Sequence, residues 1–338
     1  MTLKQRIIDE IGASGPVPFE RFMEMALYDD EGFFGGERLR SDKSGDFLTS
    51  PEVSGLFGET LAGYVERIRD DIGQPFRFVE VAAGSGSLLR SLLAVVDVEA
   101  MAVEVSPAAR RSLSDIVEVS DTLPEAIRGV VIANELLDNL PMALAQKVDG
   151  RWRERWVGAE DENLVFVDTE VRGEVHDWLH AYAGPVDEDG WVEVQLAARA
   201  WVCDVIGRIT EGSLLVIDYG ETAENLRARR RDGTLRTYRA HHLGPHPLDE
   251  PGETDITADI NFTALLDIAP NATLQRQDDF LAQLGLRDRL SRLRQAELES
   301  ARAGDEMERL RLRTLKTEAE TLLHPRGLGD FRVLEIRV

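Results

Sequence analysis

One stretch reads Phe78-Val79-Glu80-Val81-Ala82-Ala83-Gly84-Ser85-Gly86-Ser87, an apolar run carrying one acid and ending in a glycine pair. The pair lets the backbone approach a ligand closely, because no Cβ stands in the way. A helix expected from about Ser87 offers unpaired N–H groups behind it. Glu104 closes the next apolar run, at 100–105. An acid at the end of a second parallel strand is where a nucleotide-type cofactor presents its ribose hydroxyls. A third polar set, Asn134, Glu135 and Asp138, follows the apolar run 129–133, and Asp218 ends another at 214–217. Ligands of open α/β sheets lie outside the carboxyl ends of the strands. All four residues are therefore expected at the cleft of Gly84 and Glu104.

Two cofactors suit such a turn. A dinucleotide needs Gly-x-Gly-x-x-Gly, and the third position here is Leu89. An S-adenosylmethionine site follows acid-x-Gly-x-Gly-x-Gly, which Glu80, Ala82, Gly84 and Gly86 match except at Ala82. The acid has a purpose in that frame, since it helps hold the cofactor's ammonium group. For a methyl acceptor such as a guanidinium, carboxylates grip the planar N–H fork. Glu135 and Asp138 are of that chemical type.

These residues need strands and helices to hold them. Strands are expected at 78–83, 101–105, 116–119 and 129–133, with helices between the early ones. Two short helices precede them, at 1–11 and 18–27. A glycine- and acid-rich loop follows at 29–50, in which Gly45-Asp46-Phe47 suits a cover over a ligand. A helix starting near Pro51 is capped by Thr49 or Ser50, with Glu52 at its positive end. Asp149-Gly150 marks a type I′ hairpin between strands at 143–148 and 151–157, with a third strand at 163–167. A helix at 193–208 and a strand at 213–218 return to the parallel sheet. Residues 221–259 read as loop, followed by helices at 262–268, 277–284 and 287–323, the last broken near Gly304, and a closing strand at 331–336.

The chain has 338 residues, 43% of them hydrophobic, and a net charge of −23. That length and core fraction allow one large α/β domain with insertions, or two domains. The charge disfavours nucleic-acid backbone and anionic membrane, and a basic substrate is the easier match. Cys203 is the single cysteine, so no internal disulfide forms, and a buried apolar role is expected for it. No apolar run is long enough to cross a bilayer, and the first residues lack a secretory segment. A cytoplasmic protein is the expectation. His241, His242 and His246 lie in a proline-interrupted loop without helical ligand spacing, so no metal is expected there.

Taken together the motifs resemble one family, the MidA-like S-adenosylmethionine-dependent methyltransferases. The matching stretches are Gly45 to Glu52 with Phe57-Gly58-Glu59, Glu80 to Leu88, Val103 to Pro107, Ala133 to Pro141, Ile217 to Gly220, Gly233 to Tyr238, Asp255 to Phe262 and Gly327 to Leu334. Ala82 and Ala83 stand where the family usually has Gly-Pro, Gly55 replaces a glutamine, and Leu136-Leu137 replace an aromatic pair. The resemblance implies an α/β fold: a class I, Rossmann-like core with a doubly wound sheet, an N-terminal helical lid, a β insertion and helical C-terminal additions. It divides the chain into 1–75, a core of 76–141 with 193–220, an insertion of 142–192, and 221–338. It implies S-adenosyl-L-methionine held by Gly84, Gly86, Ala82 and Asn134, with Glu80 at the ammonium, Glu104 at the ribose and Asp121 at the adenine. Thr49 and Ser50 close the site, and Glu135, Asp138 and Asp218 serve the acceptor. That acceptor is expected to be a protein arginine, with respiratory-complex assembly as the setting, because the family includes a mitochondrial factor of that kind. Two rivals remain open: an assembly chaperone that keeps the fold without activity, and a nicotinamide-dependent oxidoreductase.

Overall fold

In a computed structural model, residues 1–36, 49–226, 228, 232–239 and 242–338 are described. The main sheet has seven strands: β1 (Arg77–Val81), β2 (Glu99–Val103), β3 (Glu118–Ser120), β4 (Ile127–Asn134), β5 (Ile209–Asp218), β6 (Thr273–Arg276) and β7 (Arg332–Arg337). Their spatial order is β3-β2-β1-β4-β5-β7-β6. β3, β2, β1, β4 and β5 run parallel, while β7 is antiparallel to both its neighbours. The order reverses between β1 and β4, which makes the carboxyl ends of those two strands the switch point of a doubly wound sheet.

The central strands β1, β4 and β5 are largely apolar because both faces are covered. Phe78, Val130, Ile132 and Leu215 pack one way against α4 (Gly55–Ile72) and α5 (Ser87–Leu93). Val79, Val131, Leu214 and Val216 pack the other way, against Val202 and Val205 of the helix Leu196–Arg208. The C-terminal helices Leu286–Ala303 and Glu306–Leu322 form a pair beside α4, separated by left-handed Gly304.

The N-terminal helices have a different partner. α1 (Leu3–Ser14) and α2 (Phe19–Tyr28) share a core with Leu144, Val157 and Leu164 of the insertion. Val17 pairs directly with Val157 across an antiparallel ladder. The insertion sheet itself contains Ala143–Val148, Arg151–Glu160, Asn163–Thr169 and Trp191–Val194. Asp149 and Gly150 both have positive φ, at 51° and 72°, as the type I′ turn requires.

Several local expectations change. The segment Trp191–Val194 is a strand paired with Ala143–Gln146, so the following helix begins at Leu196. The segment's ladder with Ala143–Gln146 and the burial of Val192 and Val194 outweigh its helical continuation. Residues 173–182 form a helix the sequence reading passed over, although Val175, Trp178 and Leu179 keep its inward spacing. Cys203 is exposed, because Val202 and Val205 take the inward face of its helix. The Gly45-Asp46-Phe47 motif and His241 lie outside the described residues.

Candidate active site

A cavity opens at the carboxyl ends of β1, β2 and β4, where ligands of doubly wound sheets lie. Its floor is the turn after β1. Ala82 and Gly84 both adopt left-handed backbone there, at φ 56° and 53°, and Gly86 follows at 79°. Such conformations come naturally to glycine, whereas an alanine in them is strained. Gly84 and Ala82 line the cavity. Gly86 does not. A Cβ on it would meet the Leu113 side chain at 2.7 Å, so it shapes the turn and lets α5 pack closely.

Glu104 sits at the end of β2 and is buried. Its two oxygens accept N–H bonds from Gly84 at 3.0 Å and Ser106 at 2.8 Å, fixing the carboxylate against the turn. Burial raises its pKa, and those N–H bonds oppose the shift. Glu80 lies inside the same wall. It is raised well above the usual carboxylate range, first by desolvation, while the Leu89 N–H bonds it. One of its oxygens, Oε2, is buried without a hydrogen-bond partner, and so is Oδ1 of Asn134. Both residues line the cavity. A buried acceptor left unpaired is costly, and here two acceptors await a donor.

Glu135 leaves β4 with φ at 51° and turns its side chain into the cavity. Enclosure first, then the charge of Asp138, push its pKa up to about 8, against hydrogen bonds from Asn134 and the Ser50 N–H. Asp138 lies behind it, nearly fully buried and outside the cavity lining. Its Oδ2 accepts from Tyr219 and, at 2.6 Å, from Thr257, and its Oδ1 has no partner. Desolvation raises its pKa too.

The remaining expected residues divide. Thr49 lines the cavity, whereas Ser50 is buried beside it, its hydroxyl accepting from Gln277 at 3.1 Å. Thr49 precedes α3 (Ser50–Val53) without a side-chain cap bond. Asp218 is fully buried and does not reach the acceptor side. Its carboxylate takes N–H bonds from Leu137 at 3.0 Å, Asp138 at 3.2 Å and Tyr219 at 2.9 Å, so it holds the turn 137–139 in place. Asp121 does not reach the cavity either. The exposed turn after β3 directs it to Arg110 at 3.0 Å.

Sequence reading missed four contributors. Glu52, expected at a helix end, is buried and accepts hydroxyl bonds from Ser85 and Ser87. Tyr28 and Phe34 bring aromatic faces from the N-terminal region, and Val105, 56% exposed, offers an apolar surface beside Glu104. The cluster Phe33-Phe34 after α2 was the available signal for the aromatic wall. Among the described residues that line the cavity none is basic, while Glu52, Glu80, Glu104 and Glu135 are acidic. No group of three or more His, Cys, Asp or Glu suited to a metal ion occurs among the described residues.

S-adenosyl-L-methionine fits this donor set. Its ammonium suits the unpaired oxygens of Glu80 and Asn134, and its ribose hydroxyls suit Glu104. A pyrophosphate would meet acids where it needs donors.

Known proteins agree with this fit. A solved structure from Burkholderia thailandensis, bound to S-adenosyl-homocysteine, is 29% identical, with a TM-score of 0.86 over 99% of this chain and 92% of that one. A native crystal structure from the same organism reaches 0.84 at 29% identity, over 99% and 91%. The Drosophila melanogaster mitochondrial protein arginine methyltransferase NDUFAF7 homolog is 27% identical over 79% of this chain and 70% of its own. The human NDUFAF7, also named a mitochondrial protein arginine methyltransferase, is 25% identical over 85% and 74%. The expectation of a cytoplasmic location is corrected by these names, since the curated relatives are mitochondrial proteins. The family model that spans residues 60–278 describes an S-adenosyl-L-methionine-dependent methyltransferase. It covers the glycine turn, Glu104, Glu135 and six strands of the main sheet, and the chain belongs to that methyltransferase family.

Proposed function

We propose that this enzyme methylates arginine on a protein. The carrying observation is a cavity lined by Glu52, Glu80, Glu104 and Glu135, with no basic side chain among the described residues that line it. When bound, the cofactor supplies an electrophilic methyl group on a sulfonium. It brings one net positive charge, so the surplus of acids favours an acceptor that is itself cationic. Ionised Glu135 accepts N–H bonds from the guanidinium, one of them from the nitrogen that is turned toward the methyl. The methylated nitrogen sheds a proton, and Glu135, held near 8, is suited to take it. Asp138 and Asp218 act from behind, by charge and by fixing the turn. The names of the curated relatives support this acceptor class, and a subunit of a respiratory complex follows from the family resemblance as the first candidate.

The test is transfer of tritiated methyl into lysate protein by the native enzyme and by Glu135→Ala, with amino-acid analysis of the labelled product. Methylarginine from the native enzyme and little label from the variant are expected. Equal labelling by both removes Glu135 from the role, label on another residue type overturns the acceptor class, and no label from either favours the chaperone reading.

A further inference from the structure

Tyr28 and Phe34 stand in the cavity wall without a part in holding the cofactor's polar groups. Their ring centroids lie 5.8 Å apart with planes inclined by 32°. Each ring is fixed. The Tyr28 hydroxyl donates to the carbonyl of Asn139 at 3.1 Å, at the end of the turn that carries Asp138. Phe34 is braced edge-on by the buried ring of Phe33, at 5.0 Å. The backbone of the same segment is tied to α2, where the Phe33 and Phe34 N–H groups bond the carbonyls of Ala26 and Leu27 at 3.0 and 2.7 Å. Tyr28, Phe34, Asn139 and Glu135 line one cavity. A flat aromatic surface beside a carboxylate, with no competing cation among the described lining residues, is chemically matched to a flat cation.

We propose that Tyr28 and Phe34 are specificity-determining residues that stack the guanidinium plane of the acceptor and make the site select arginine over lysine. The inference rests on the arginine reading above. Glu135 alone attracts either cation, whereas a delocalised planar group gains from both the carboxylate fork and the ring face. A lysine ammonium is more strongly hydrated and has no face to stack. The two aromatic residues come from the N-terminal region, which the insertion sheet anchors, so this region contributes selectivity to a cofactor site built by the main sheet.

The experiment titrates Nα-acetyl-arginine amide and Nα-acetyl-lysine amide into the full-length enzyme saturated with S-adenosylhomocysteine, read by NMR line broadening. The native enzyme should prefer the arginine probe by about tenfold, the scale of a desolvated cation–π contact. Phe34→Leu and Tyr28→Leu should bring the two probes within about threefold, and Tyr28→Phe, which keeps the ring, should retain the preference. Preference unchanged in both leucine variants overturns the inference and leaves the arginine reading standing. Weaker S-adenosylhomocysteine binding in those variants with arginine preference intact also overturns it, by assigning the wall to the cofactor. No preference in the native enzyme overturns the arginine reading itself.

Discussion

The hydroxyl of Ser87, the first residue of α5, donates to the carboxylate of Glu52 in α3 at 2.7 Å. Ser85 donates to the same oxygen from within the glycine turn. At its other end α3 presents the Ser50 N–H to Glu135. One short helix therefore touches both the glycine turn and Glu135. A hydrogen bond to a charged group contributes roughly 1.5–3 kcal/mol. Glu52→Gln should accordingly weaken S-adenosylhomocysteine binding by about tenfold or more in calorimetric titration. Affinity equal to the native protein's would show that α3 does not organise the turn.

Ala82 occupies left-handed backbone at φ 56°, which costs an L-residue roughly 1–2 kcal/mol that glycine avoids. Ala82→Gly should raise unfolding stability by about 1 kcal/mol, read from the midpoint of urea denaturation. A lower midpoint would contradict the strained conformation. The change also removes a methyl group from the cavity wall, so cofactor affinity should hold or improve.

Glu135 must be ionised to grip a cation, and in the free enzyme its carboxyl is held up to about 8. The profile of kcat/KM against pH should therefore rise from pH 6 toward 8.5 and level off once the carboxylate is charged. Glu135→Gln should flatten that rise as well as lowering the rate. A profile already flat at pH 6 would assign the limb to no group near this acid.

Glu80, Glu104, Glu135, Asp138 and Asp218 all have native pKa values raised by desolvation. The native state thus holds protons that the unfolded chain releases. By linkage their contribution is fully present below the unfolded carboxylate range and is lost as pH rises through the raised native values. The ligand-free enzyme should melt at a lower temperature at pH 8 than at pH 6, and Glu135→Gln should shrink that difference. A melting temperature that climbs across the same interval would contradict the shared direction.

Asp218 accepts three backbone N–H bonds and lies outside the cavity lining. Asp218→Ala should cost about 2–3 kcal/mol in denaturant unfolding, because buried donors are left unmet. A loss confined to turnover, with stability unchanged, would return it to a direct part in the reaction.

The main sheet was readable because its strands are short apolar runs that end in the polar residues of the site, so register and function share one pattern. Glu80, Gly84, Glu104, Asn134 and Glu135 do meet at one cavity. Asp121 was misread since strand order alone does not tell which way an exposed turn points. Gly86 and Asp218 were misread as ligand contacts for a related reason: a glycine that permits close packing and an acid that collects backbone donors carry the same letters as binding residues. Glu52 and Tyr28 were hidden by distance along the chain. Glu52 looks like an ordinary helix-terminal acid until the turn at Ser85 is folded against it, and Tyr28 looks like the end of an amphipathic helix until it meets Asn139.

β7, spanning Arg332–Arg337, is an interior strand, flanked by β5 on one side and β6 on the other. During synthesis the rest of the sheet must wait for it, with Leu214 and Val216 on an unpaired apolar edge until it leaves the ribosome. A chain cut before Arg332 would therefore meet its neighbours through that raw edge and coagulate. Loss of the strand Arg332–Arg337 should read in cells as missing protein, long before it reads as missing catalysis.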